Sequence, residues 1–357
     1  MNSSMSSSSV ARHFRGALIA AAFSVGVAGA QQLPGARVAP MQAPKPQTQV
    51  APQVPTITAN VTLVNVVFSV EGSHGGFVAG LGKDDFQVRE DGRPQTLQFF
   101  SAEDQLPLTL GLLLDTSPSQ RGVLRQQQAI SDQFFRQVIQ PHDLAFVIGF
   151  DVQVQLLRDL TPSASALSAA VDSAHIGGGD AASYGINPGT FPQHGSQGAT
   201  HLWDAIYLAC HEELAHQAGR KAIIVVTDGG EQGSTYTDQD ALRAALDSNT
   251  VVFFIMANDG ANAYFRGSGP GQLKKIAEQT GGRTIDGNKN LGKAFTDLAN
   301  ELRSQYSLGY HSDQTAHDGK FRKIEITLTD AAKKQHPDVK IRARSGYFAP
   351  GANPNSN

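Results

Sequence analysis

Leu108-Thr109-Leu110-Gly111-Leu112-Leu113-Leu114-Asp115-Thr116-Ser117-Pro118-Ser119 is the stretch on which the fold turns. Its first seven residues make a nearly continuous apolar run, the pattern of a strand buried on both faces, and Asp115 ends it. Further strand-like runs lie at Leu144–Phe150, Lys221–Thr227 and Val251–Ala257, with a short one at Arg283–Ile285. Helical patterns fall between or after them, over Gln120–Gln140, Ala164–Ala174, His201–Gly219, Asp238–Ser248, Gln272–Gln279 and Leu291–Gln305. This alternation predicts an open α/β sheet over residues 107–300, mostly parallel, with helices on both faces. Only Asp151 separates Leu144–Phe150 from Val152–Leu157, too little for a crossover helix. A tight hairpin and one antiparallel edge strand are therefore expected.

Outward from this core the pattern turns to β on both sides. Residues 56–104 contain a β-branched run over Thr58–Val70, a turn at Gly72–Gly76, and Phe86–Glu90 and Thr96–Phe100 flanking Asp91-Gly92, a hairpin signal. Residues 303–349 carry strand candidates at Tyr306–His311, Phe321–Leu328, Val339–Arg344 and Gly346–Phe348. The N-terminal segment is too short to bury much core alone. The expectation is one small flanking β domain built from both segments.

Residues 1–30 read as a signal peptide: Arg12 and Arg15 precede an apolar run from Ala17 to Val27, and Ala28-Gly29-Ala30 supplies a cleavage site. Residues 31–55, with prolines at 34, 40, 44, 46, 52 and 55, read as a semi-extended linker. Cleavage after Ala30 predicts a secreted or periplasmic protein with no stable membrane anchor in the mature chain. The full sequence of 357 residues has a formal charge of −3, which becomes −5 without Arg12 and Arg15. That balance gives no global basic surface for nucleic acid. One cysteine, Cys210, excludes an intramolecular disulfide framework and multi-cysteine metal clusters.

In an open α/β sheet, ligands bind beyond the carboxyl ends of the strands. Three loops there carry hard oxygen donors: Asp115-x-Ser117-x-Ser119, Gly198-Ala199-Thr200 and Thr227-Asp228-Gly229. Asp115, Ser117, Ser119, Thr200 and Asp228 can together surround one small divalent cation. Oxygen ligands with few charges suit Mg²⁺, with Mn²⁺ or Ca²⁺ as substitutes. Two carboxylates leave such a site short of ligands, so an acidic group from a partner protein can complete it.

These motifs, with Leu202-x-Asp204-Ala205 after Thr200, resemble the von Willebrand factor A (VWA) family and its metal-ion-dependent adhesion site (MIDAS). The flanks resemble secreted bacterial VWFA-related proteins, through Leu81-Gly82-Lys83-Asp84-Asp85-Phe86 with Glu90-Asp91-Gly92. The matching C-terminal segments are Tyr306-x-Leu308-Gly309-Tyr310 and Gly319-Lys320-Phe321-Arg322-Lys323-Ile324. The resemblance implies a VWA/Rossmann-like sheet and cation-dependent protein binding or adhesion rather than catalysis. Pro118 departs from the small residue common in such loops, and the Gly177–Ala199 stretch is longer than expected.

Two other readings compete. The hydroxyls can serve only as turn and helix caps, since Ser119 and Thr200 both precede helices, leaving a structural domain with an idle site. Alternatively, Asp115 can act as a phosphotransferase nucleophile. That chemistry wants a second carboxylate where Ser117 stands, and a Lys near the end of a later strand, where Gly229, Gly230 and Glu231 follow Asp228 instead. His211 and His216, five apart, do not share a helix face, and Cys210 and Trp203 read as core.

Overall fold

The computed structural model describes residues 63–73, 75–102, 106–177, 200–258 and 270–351, all within one compact unit, Thr58–Asn357. The segments expected to be a signal peptide (1–30) and a proline-rich linker (31–55), and the 177–199 stretch beyond Gly177, lie outside these residues.

The chain begins with β1 (Leu63–Glu71), β2 (Phe86–Glu90), β3 (Arg93–Gln95) and β4 (Leu97–Ala102). The central region then runs β5 (Leu108–Asp115), α1 (Leu124–Val138), β6 (Leu144–Phe150), β7 (Val154–Thr161), α2 (Ala164–Ser173) and α3 (Leu202–Leu208). It continues with β8 (Arg220–Thr227), α4 (Asp238–Asp247), β9 (Thr250–Met256), α5 (Pro270–Thr280), β10 (Thr284–Asp286) and α6 (Leu291–Arg303). Last come β11 (Gln305–His311), β12 (Phe321–Leu328), α7 (Asp330–Gln335), β13 (Lys340–Ala343) and β14 (Gly346–Phe348).

The central sheet has the order β10-β9-β8-β5-β6-β7, parallel throughout except for β7, which pairs antiparallel with β6. The continuous apolar runs are explained by two-sided burial. Leu110, Leu112 and Leu114 pack with α1, α2 and α6, whereas Leu113, Ile223 and Val225 pack with α3, α4 and α5. Each fully buried leucine contributes about 1.5–3 kcal/mol of transfer free energy. Gly111 interrupts the leucines because a Cβ there would stand 2.4 Å from the Phe146 ring.

The flanking segments interleave in two antiparallel sheets, β13-β1-β11-β4 and β14-β12-β2-β3. N-terminal β1 lies between C-terminal β11 and β13, and N-terminal β2 pairs with β12. Phe68, Phe86, Phe100 and Tyr306 pack their rings between the sheets at centroid separations of 4.9–5.7 Å.

Three local expectations change. Asp91 and Gly92 take positive φ, 46° and 80°, and join β2 to β3 only; the run after Thr96 becomes β4 and crosses to the other sheet. The helix expected over His201–Gly219 ends early: α3 passes into a π-helical turn at Ala209–Glu213 and stops. Asp330–Gln335, between two of the expected strands, is a helix capped by Thr329, with only Ala332 buried and so no apolar period to reveal it.

Candidate metal centre

β5 and β8 are neighbours, and the strand order reverses between them. Their carboxyl ends therefore form the crevice where an open α/β sheet receives a ligand. Asp115, the last residue of β5, has no solvent exposure. One carboxylate oxygen, Oδ1, accepts from the Ser117 amide at 3.0 Å, and Oδ2 accepts from the Thr227 hydroxyl at 2.6 Å. Burial pushes the Asp115 carboxyl up to about 7, the Asp228 charge adds to the rise, and the bonds from Ser117 and Thr227 oppose it.

Pro118 starts a short 3₁₀ turn, Pro118–Gln120, where its missing amide hydrogen removes no bond. This turn brings the Ser117 and Ser119 hydroxyls to 2.9 Å from each other. Ser117 stands at the turn's N-cap position, yet its side chain makes no capping bond. Val123, not Ser119, occupies the N-cap of α1, and it makes no side-chain capping bond either, so neither serine caps a helix start.

Thr200 also caps nothing. His201 occupies the N-cap of α3 and makes no side-chain cap bond. The amides of Leu202 and Trp203 instead donate to Glu231 Oε2 at 2.9 and 3.3 Å, and the Ser234 hydroxyl accepts from Trp203 and Asp204. Thr200 pairs with Gln232 through two backbone bonds of 2.9 Å. The loop after β8 thus holds the Thr200 segment directly. Asp228 is half-buried, and its Oδ1 accepts from the Gly230 amide at 2.9 Å.

Asp115, Ser117, Ser119 and Asp228 come together at one end of the sheet, and Thr200 is tied to the same loop system. Sequence reasoning passed over three contributors. Thr227 bonds Asp115 directly. Glu231, noted only as not being lysine, caps α3. Asp151 accepts the His201 amide at 2.8 Å through its carbonyl, linking the β6–β7 turn to α3. Only the adjacency of Thr227 to Asp228 was visible beforehand; the other two bonds join residues far apart in sequence.

Among the described residues no group of three or more His, Cys, Asp or Glu side chains is placed to hold a metal. A cation here must rely on hydroxyls as well as carboxylates. The donors fit such an ion chemically: two carboxylates, one of them fully desolvated, and three hydroxyls, all hard oxygen. Cys210 is fully buried, and burial pushes its thiol up to about 12, so it is unreactive at neutral pH. His211 is exposed, pairs with Glu212 and stacks on Tyr207; Trp203 is 5% exposed and belongs to the core.

No family profile and no curated protein matches the sequence. Solved structures similar to the chain include BatB from Bacteroides thetaiotaomicron, at 19% identity over 55% of this chain and 100% of that one, TM-score 0.40. The vWF domain of the type V pili tip protein Mfa5 from Porphyromonas gingivalis is 13% identical over 54% and 94%, TM-score 0.38. Proximal thread matrix protein 1 from the mussel byssus, solved with a zinc-occupied MIDAS motif, is 14% identical over 60% and 50%, TM-score 0.44. The chain spans half the length of that mussel protein. The α/β region is an open, mostly parallel sheet with one antiparallel edge strand and helices on both faces. Among the described residues no helix is long and apolar enough to cross a membrane.

Proposed function

We propose that the α/β region is a divalent-cation-dependent protein-binding module, acting in adhesion or assembly outside the cytoplasm. Asp115, Ser117 and Ser119 hold Mg²⁺, or Mn²⁺ or Ca²⁺ in its place, while Thr200 and Asp228 contribute directly or through water. The bound ion supplies a positive centre that can accept a carboxylate from a partner protein. The observation that carries this reading is the fully buried Asp115 carboxylate at the β5–β8 crevice, near a second carboxylate. A desolvated anion in that position is stabilised by a proton or a cation. The role is binding rather than catalysis. Residues 1–30 direct export, residues 31–55 form a spacer, and residues 56–104 and 303–349 form the β domain flanking 107–300.

Calorimetric titration of the full chain with Mg²⁺ tests the site. Saturable binding that Asp115→Ala abolishes is expected. No binding to the unsubstituted protein, or unchanged binding in the variant, overturns the reading in favour of a structural domain with an idle site. The Ser117–Ser119 and Thr227–Asp115 bonds favour that second reading, because they partly satisfy these groups without an ion. Amino-terminal sequencing of the exported protein should begin at Gln31 if cleavage follows Ala30.

A further inference from the structure

We infer that the cavity between α4 and β14, remote in sequence from the metal loops, binds an organic carboxylate carried on an apolar body. The cavity has a volume of about 360 Å³, and its walls include Arg243, Leu246, Asp247, Arg344, Tyr347 and Phe348. That volume is within the range of small-ligand sites. The inference does not depend on the metal reading.

Arg344 carries the argument. It lies between β13 and β14 and is 8% exposed. Its Nη2 donates to the Asn65 carbonyl at 2.7 Å, and Nη1 reaches the Leu246 carbonyl, in the last turn of α4, at 3.5 Å. Its Nε is buried and has no acceptor among the described residues. The ionisable groups interacting with it are Tyr310 and Tyr347, whose hydroxyls both donate to Glu90 at 2.8 and 3.1 Å, and the like-charged Lys221. Burial pushes the guanidinium down to about 10, so it stays charged at neutral pH. The carbonyl end of α4 offsets at most about half a unit charge.

Four other partly buried arginines are ion-paired, whereas Arg220, 1% exposed, donates to the Leu106 and Leu302 carbonyls at 3.0 and 2.6 Å. Arg283 faces Glu301 at 2.6 Å, Arg303 faces Asp143 at 3.1 Å, Arg322 faces Asp318 at 3.1 Å and Arg342 faces Glu71 at 2.5 Å. Arg344 makes no such ion pair among the described residues. A buried cation without a carboxylate is costly, and an anion entering the cavity relieves that cost.

The remaining walls define what the anion is attached to. The Arg243 guanidinium lies 4.1 Å over the Phe348 ring and is paired with Asp247 at 3.3 Å. Phe348 in turn meets Phe321 edge-on at 5.2 Å. Two guanidiniums against one carboxylate leave the cavity positive, while Leu246, Tyr347 and Phe348 give it apolar surface. A planar carboxylate matches the forked N–H donors of arginine, and an aryl or branched alkyl body covers the apolar wall. A small aryl carboxylic acid and the C-terminal residue of a peptide both offer this chemistry.

Calorimetry on the full chain with 3-phenylpropionate, its neutral amide and N-acetyl-glycyl-phenylalanine tests the proposal. The carboxylate should bind saturably, with the amide at least about tenfold weaker. Arg344→Lys keeps a positive charge but loses the fork, and should weaken binding by a similar factor. Should that variant fail to fold, the exposed rim substitution Arg243→Glu should abolish binding without touching Arg344. No binding of either carboxylate at about 10 mM, equal binding of acid and amide, or unchanged binding in Arg243→Glu overturns the site. Within a positive result, tighter binding of the peptide assigns a chain terminus as the source. Tighter binding of 3-phenylpropionate assigns a free acid.

Discussion

Glu90 in the flanking β sheets and Asp115 in the central sheet are both carboxylates without solvent exposure, yet their surroundings differ. Glu90 accepts four bonds: from Tyr310 at 2.8 Å, Tyr347 at 3.1 Å, Ser312 at 2.6 Å and Gln314 at 3.2 Å. These donors come from β11, β14 and the segment between β11 and β12, so one side chain fastens the N-terminal segment to the C-terminal one. Asp115 accepts bonds from Ser117 and Thr227 and has Asp228 nearby. A buried carboxylate that accepts four bonds is a structural fastening. One left beside another negative charge is poised for a cation.

The largest expected effect lies on the Glu90 side. Glu90→Ala strands several buried donors and opens a cavity, and should cost about 3–5 kcal/mol in urea unfolding. Mg²⁺ should not restore it. A loss below about 1 kcal/mol would erase the contrast between the two carboxylates.

Asp115→Asn should act in the opposite direction in chelator. The folded-state pKa of Asp115 is raised, so between pH 4 and pH 7 the native protein retains a proton that the unfolded chain has released. The stability from Asp115 is full below about pH 4 and is lost as pH rises through about 7. The variant cannot titrate there, so relative to the unsubstituted protein it should gain up to about 4 kcal/mol across that window. Saturating Mg²⁺ should shrink or reverse the gain. A pH-independent difference between the two proteins would sink this account.

The smallest effect is at Thr227→Val, which keeps the shape and removes the 2.6 Å bond to Asp115. Stability near neutral pH should fall by about 1–2 kcal/mol, and Mg²⁺ affinity should fall with it. Equal affinity would mean that Thr227 supports the fold without orienting Asp115.

The central strands were legible because burial on both faces leaves a continuous apolar run, as at Leu108–Leu114 and Lys221–Thr227. The edge hairpin was legible because Asp151 alone cannot span a crossover. In the flanks, Asp91-Gly92 marked a turn, but nothing local in Thr96–Phe100 signalled that the chain leaves one sheet for the other. Within the candidate site, Asp115, Ser117 and Ser119 are close in sequence and could be read as a set. Glu231 could not, because its role as the cap of α3 depends on amides about thirty residues away.

The sequence by itself determined the α/β order, the β character of both ends and the oxygen chemistry at the strand termini. Those properties follow from local periodicity and from residue types at short spacing. Only the tertiary structure decided that N- and C-terminal strands interleave, that neither Ser117 nor Ser119 caps a helix start, and that Arg344 is buried without a carboxylate partner among the described residues. Each of these depends on which distant groups share a low-dielectric interior, and pairing across 200 or more residues leaves no local trace in the chain.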